Sequence, residues 1–142
     1  MDAQAQHNVT TSRDNASYLT TTNQLPLAEV TYKYIIDTVQ QHEGQEATYA
    51  DRYNLSNVLV KQHKYAEAEP ILRDTLNYLT KRPVDDVSDH FLEQEDATIS
   101  LLVQSLKGQE KDEEAYRLMA GAHYAGREDQ LQVRKQVYGL GA

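Results

Sequence analysis

The stretch "YNLSNVLVKQHKYAEAEPILRDTL", residues 53–76, decides how this chain folds. Leu55, Val58 and Leu59 recur at helical spacing before the short linker at His63 and Lys64. Tyr65, Ala68, Leu72 and Leu76 recur in the same way after it. Spacings of three and four residues place each set on one face of an α-helix, so the stretch predicts helices over 46–62 and 65–80. A buried helical face favours bulky side chains, yet Ser56 and Ala68 stand among them. Two antiparallel helices joined by two or three residues must approach closely, and their separation depends on the side chains at the crossing. Ser56 and Ala68 permit that approach. Leu55, Leu59, Tyr65 and Leu72 then fill the grooves around them.

Working outward, the same pattern returns. "PLAEVTYKYII" (26–36) aligns with "AEAEPILRDTL" (66–76), matching Ala28 to Ala68 and Tyr32 to Leu72. "DEEAYRLMAGA" (112–122) puts Ala115 and Met119 in those places. The alanines are thus 40 and 47 residues apart, the mark of a repeat. Ahead of each lies another apolar stripe; in "DNASYLTTTNQL" Ala16, Leu19 and Leu25 correspond to Ser56, Leu59 and Tyr65. In the third unit Val103 stands where a small residue is expected, and Asp112 where an aromatic is.

The remaining boundaries follow from breakers and caps. Residues 1–13 are polar and without period, and read as a disordered tail, with a helical repeat domain over 14–142. A helix over 27–40 carries Ala28, Tyr32, Ile35, Ile36 and Val39 and stops at Gly44. "KRPVDDVS" is a loop before a long helix over about 89–107 with Leu92, Ile99, Leu102, Val103 and Leu106. A helix over 111–124 ends by Gly126, and a last one over 127–138 is expected to cap the array with Leu131, Val137 and Tyr138 inward. Pro70 falls inside the helix over 65–80, where it removes a hydrogen bond and is expected to bend the axis. No stretch alternates with period two, so the fold class is all-α: an α-α superhelix of about three hairpins plus a capping helix.

These residues resemble the tetratricopeptide repeat, whose pattern runs large, small, large or aromatic, then Ala, aromatic, Ala. Here the places hold Leu55, Ser56, Leu59, Ala68, Leu72 and Thr75. The wording "NLSNVLVKQHKYAEAEPIL", with Pro70, resembles the longer kinesin-light-chain variety, and the likeness extends over about residues 14–124. It implies a right-handed solenoid whose first helices line a concave groove. It also implies a non-catalytic scaffold or adaptor role in protein–protein interaction, holding a peptide or partner helix. By that resemblance the groove positions are Tyr53, Asn57, Val60 and Lys61 in the central unit, with Ser100, Gln104 and Lys107 in the third. Asn54 and Asn57 suit an extended peptide, because each amide both donates and accepts. The residues expected to touch a partner are therefore Tyr53, Asn54, Asn57, Lys61, Gln104 and Lys107. A carboxylate clamp is not expected, since Ala97 and Leu101 stand where basic residues would be needed. Nor is a kinesin light chain itself, for want of a heptad coiled coil.

Composition narrows the classes further. A net charge of −8 argues against nucleic acid and anionic membranes as partners. With no cysteine, no apolar leader and no apolar run of spanning length, a cytoplasmic protein is expected. The three N-x-[ST] triplets read as chance. No phosphate loop, nucleophile elbow or H-E-x-x-H occurs, so no enzyme, cofactor or metal is expected. "DDVSDH", with Asp85, Asp86, Asp89 and His90 ahead of Glu93, has a spacing that could bring ligands together, but reads better as a capped helix start. Two rivals remain: a self-associating structural homodimer, favoured by ten tyrosines, and a small metal-dependent enzyme.

Overall fold

The computed structural model of the chain describes residues 1–81 and 89–120. Among them the helices are α1 (Ala3–Thr21), α2 (Leu25–Glu43), α3 (Tyr49–Lys61), α4 (Tyr65–Thr80), α5 (Asp89–Gly108) and α6 (Asp112–Ala120), with a short 3₁₀ turn at Gln45–Thr48 before α3. No strand occurs among the described residues. α1 pairs with α2, α3 with α4 and α5 with α6, while α2 packs on α3, α4 on α5 and α3 on α5. The fold is all-α, a succession of helical hairpins stacked in chain order.

The hairpin turns are three copies of one structure. Asn23, His63 and Glu110 take positive φ of 61°, 60° and 62°. In each turn the residue after it donates its N–H to a carbonyl five residues back: Gln24 to Leu19 at 2.8 Å, Lys64 to Leu59 at 2.9 Å, Lys111 to Leu106 at 2.8 Å. Those bonds, with His63 N–H to Val60 and its counterparts, satisfy the carbonyls that a helix end leaves open. The left-handed residue reverses the chain within three residues. Identical turns mean identical register, and the alignment made on alanines holds.

Ala28, Ala68 and Ala115 are fully buried, as are Ala16, Ser56 and Val103 at the opposing place. The Ser56 hydroxyl donates to the Arg52 carbonyl at 2.9 Å, so its burial leaves no orphan donor. Around these small residues runs one continuous core from Val9 to Met119, including Ile35, Leu59, Leu72, Leu102 and Leu106. Each such side chain stabilises the fold by about 1.5–3 kcal/mol relative to exposure. Gly44 ends α2 at φ 87°, ψ 173°, a conformation that only glycine adopts at low cost. α4 continues through Pro70, which is exposed.

One boundary differs. The polar tail expected over residues 1–13 is helical from Ala3, capped by the Asp2 carboxylate, which accepts from the Ala5 N–H at 2.7 Å. Val9 is buried, and Arg13 donates to both carboxylate oxygens of Asp51 on α3, at 3.0 and 2.7 Å. The sequence reads as a tail because α1 buries little. Thr11, Asn15 and Tyr18 are exposed, at places where the second hairpin buries Asp51, Leu55 and Val58 and the third buries Thr98, Leu102 and Ser105. Its leading face carries no further hairpin among the described residues, so only a thin apolar stripe is left to betray the helix. The 127–138 helix, Gly126 and most of the 81–88 loop lie outside the described residues, and α6 is described to Ala120.

Candidate partner-binding face

The first helix of each hairpin turns one side to its neighbours and one to solvent. On α3, Leu55, Ser56, Val58 and Leu59 are buried, which leaves Ala50, Tyr53, Asn54, Asn57 and Lys61 on the open side. These positions follow i, i+3, i+4, i+7 and i+11, a single stripe along the helix. Tyr53, Asn54 and Asn57 are half-buried and Lys61 is exposed; Val60 is 92% buried and belongs to the core edge. Asn54, Asn57 and Lys61 make no side-chain hydrogen bond or ion pair among the described residues. Their donors and acceptors are therefore available to a second molecule.

Register decides which expected residues come together. Gln104 on α5 occupies the place of Asn57, and Ser100 that of Tyr53, on two helices in contact. Gln104 Nε2 lies 3.5 Å from Ser100 Oγ, a long and weak contact that leaves the amide exposed. Lys107 is exposed but takes the register of Val60, whereas the counterpart of Lys61 is Gly108. The two lysines therefore do not form a row. Asn54 has no polar counterpart either, since Leu101 fills that place and is buried. Of the "DDVSDH" stretch, Asp85 and Asp86 lie outside the described residues, and Asp89 and His90 open α5.

The edge of the stack is tied by a device that the sequence reading missed. Glu29 on α2 accepts from Lys33 on its own helix (2.8 Å) and from Gln62 and Lys64 in the next hairpin's turn (both 2.9 Å). Glu69, in the same register on α4, accepts from Arg73 (2.9 Å) and from Gln109 and Lys111 in the following turn (2.9 and 3.1 Å). The Lys33 hydrogen bond leads in holding the Glu29 carboxyl down at about 2; burial opposes it, and Lys64 and Gln62 add to it. For Glu69 burial is the largest influence and pushes the value up, but Arg73, Gln109 and Lys111 together overcome it, again to about 2. The signal was in the sequence: Glu29 and Glu69 recur at 40 residues, Gln62 with Gln109 and Lys64 with Lys111 at 47. A search for apolar periodicity passes over them.

Comparison of the chain with protein-family models, with curated proteins and with solved structures finds no match in any of the three. Among the described residues, no helix is long and apolar enough to cross a membrane.

Proposed function

We propose that the chain is a tetratricopeptide-like, non-catalytic interaction module that holds a peptide or partner helix against the open face of α3 and α5, in the cytoplasm. The observation that carries this reading is the pair of half-buried residues Asn54 and Asn57, whose amides have no partner among the described residues. Their amide groups reach solvent, and each both donates and accepts, so a ligand's backbone can take the place of the water they meet. Register puts Gln104 at the place of Asn57 on the next hairpin's first helix, and α3 and α5 pack on one another. The net charge of −8 fits a protein rather than a nucleic-acid partner.

The test is selection of binders from a displayed peptide library, followed by affinity measurement against Asn57→Ala. The variant is expected to unfold at the wild-type temperature and to lose about tenfold in affinity, the size of one lost hydrogen bond. Peptides that bind both proteins equally, or an absence of enriched sequences, would refute the assignment.

A second reading has its own observation. Leu27, Val30 and Tyr34 on α2 are 57%, 65% and 53% exposed and share one outward stripe. The second hairpin has Glu67, Pro70 and Asp74 at those places. An apolar stripe confined to one hairpin favours self-association through α2. Sedimentation that is independent of concentration, and unchanged in Val30→Glu, eliminates it.

A further inference from the structure

The open end of the second hairpin, away from its tight turn, forms a solvent-open cleft of about 410 Å³ among the described residues. The start of α3 and the end of α4 form its walls. Tyr49 and Tyr78 both line it and stack on one another, ring centroids 5.2 Å apart and planes 28° from parallel. Arg52, Lys81, Asn77 and Gln45 bring nitrogen donors to the same space. The sibling hairpins are built differently. The register place of Arg52 is held by Ile99 in the third, 1% exposed, and that of Tyr49 by Val9 in the first, also 1% exposed. The first has Ser12 at the Arg52 place and the third Asp96 at the Tyr49 place, so the second hairpin alone has both a guanidinium and an aromatic at these two positions.

Arg52 is the informative group. Its side chain is only 19% exposed, yet its sole hydrogen bond of ordinary length runs from Nε to Thr48 Oγ1, at 3.0 Å. Nη2 lies 3.5 Å from Gln40 Oε1, and Nη1 lies 4.0 Å from an Asp74 carboxylate that is 67% exposed. A pair at that distance with one member in water is screened and weak. Glu46, the other acid on the wall, is exposed and forms no ion pair with Arg52. Arg13 shows how this chain satisfies a guanidinium internally, with two parallel bonds to Asp51. Arg52 has the same fork and, among the described residues, no carboxylate seated in it, and a guanidinium fork matches a carboxylate's two oxygens.

We propose that this cavity binds an organic carboxylate, with Arg52 gripping the two oxygens and the Tyr49–Tyr78 wall facing an aromatic or apolar body. Lys81 and the Asn77 amide complete the polar rim. The volume lies in the range of small-ligand sites and admits a single aromatic acid or the last residue of a peptide chain. Arg52 sits five residues before Asn57, about 140° round α3, so this site is separate from the α3–α5 face and stands or falls alone.

The experiment uses the whole protein and amide NMR shifts. N-acetyl-tyrosine is titrated beside its neutral twin N-acetyl-tyrosinamide, and beside the tetrapeptide Gly-Gly-Gly-Tyr with a free carboxyl end. Saturable shifts at Thr48, Tyr49 and Asn77 with the acid, at least about tenfold weaker with the amide, are expected. The tetrapeptide arm names the source: binding comparable to the acid assigns a chain end, and binding of the acid alone assigns a free small molecule. Arg52→Met, which puts an apolar side chain where the third hairpin has Ile99, is expected to keep the unfolding temperature and abolish the shifts. Should that variant fail to fold, Lys81→Met at the exposed rim is expected to fold and to weaken binding. Equal shifts from acid and amide, undiminished binding in a folded Arg52→Met or Lys81→Met, or no saturation by any probe overturns the proposal.

Discussion

At the scale of single residues, the hairpin rests on side chains that are small where its two helices cross closely, Ser56 on one and Ala68 on the other. Ala68 is fully buried beside the helix crossing, so Ala68→Leu has to force α3 and α4 apart. Overpacking of this kind costs about 1–3 kcal/mol, and a urea midpoint unchanged from wild type would contradict the placement. Gly108 makes the same argument between hairpins. A Cβ built there would fall against the ring of Tyr65, with even Cγ only 2.7 Å away. The ring cannot simply swing off, because its hydroxyl is 2.6 Å from His63 Nδ1. Replacing glycine by alanine in a helix normally gains about 0.5–1 kcal/mol, so backbone propensity alone would favour the change at Gly108. Steric overlap outweighs that gain, and Gly108→Ala is expected to lower the melting temperature. A companion Tyr65→Leu should recover part of the loss in a double-mutant cycle. The alanines could be read from sequence because they recur. Gly108 could not, because its neighbour lies 43 residues away and neither residue repeats.

At the scale of elements, the sequence was most legible where both faces of a helix are used. α4 runs over Tyr65–Thr80 as its apolar spacing predicts, and Gly44 ends α2. α1 was partly hidden because a polar leading face dilutes its period, and the Arg13–Asp51 pair joins residues 38 apart with no local signature. The turns were legible in length but not in conformation. Asn tolerates positive φ; His63 and Glu110 do so at a cost of about 1 kcal/mol or more. Glu110 is exposed, which makes it a clean probe. Glu110→Gly relieves the left-handed strain, less the extra freedom glycine gives the unfolded chain, whereas Glu110→Val adds a β-branch to it. The two variants are expected to differ by about 1–2 kcal/mol in chemical denaturation, glycine being the more stable. Equal midpoints would mean that the turn is not held in that conformation in solution.

At the scale of the whole molecule, what needs explaining is why three hairpins stay in one stack rather than sliding on an apolar seam, since hydrophobic contact is non-directional. The two glutamate clamps supply direction: Glu29 ties the first hairpin to the turn of the second, and Glu69 ties the second to the turn of the third. Both carboxyls are held at about 2, below their ordinary 4.5. The unfolded chain therefore binds more protons between those values, and the clamps' contribution is complete above about 4.5 and drains away as pH falls toward 2. A second influence runs the other way. The chain carries −8 at neutral pH, and mild acid relieves that self-repulsion. Stability should thus hold or rise slightly from pH 7 to 5 and drop only below 4.5. Other carboxylates titrate in the same window, so the wild-type profile alone cannot isolate the clamps. The double variant Glu29→Gln, Glu69→Gln keeps the shape and one acceptor oxygen at each site, turns the other into an NH2 donor, and has no charge to lose. Its urea midpoint is expected to lie below wild type at pH 7, and to fall less steeply between pH 4.5 and 2.5. Parallel profiles would show that the stack is held by its apolar seam alone, with the glutamates as bystanders.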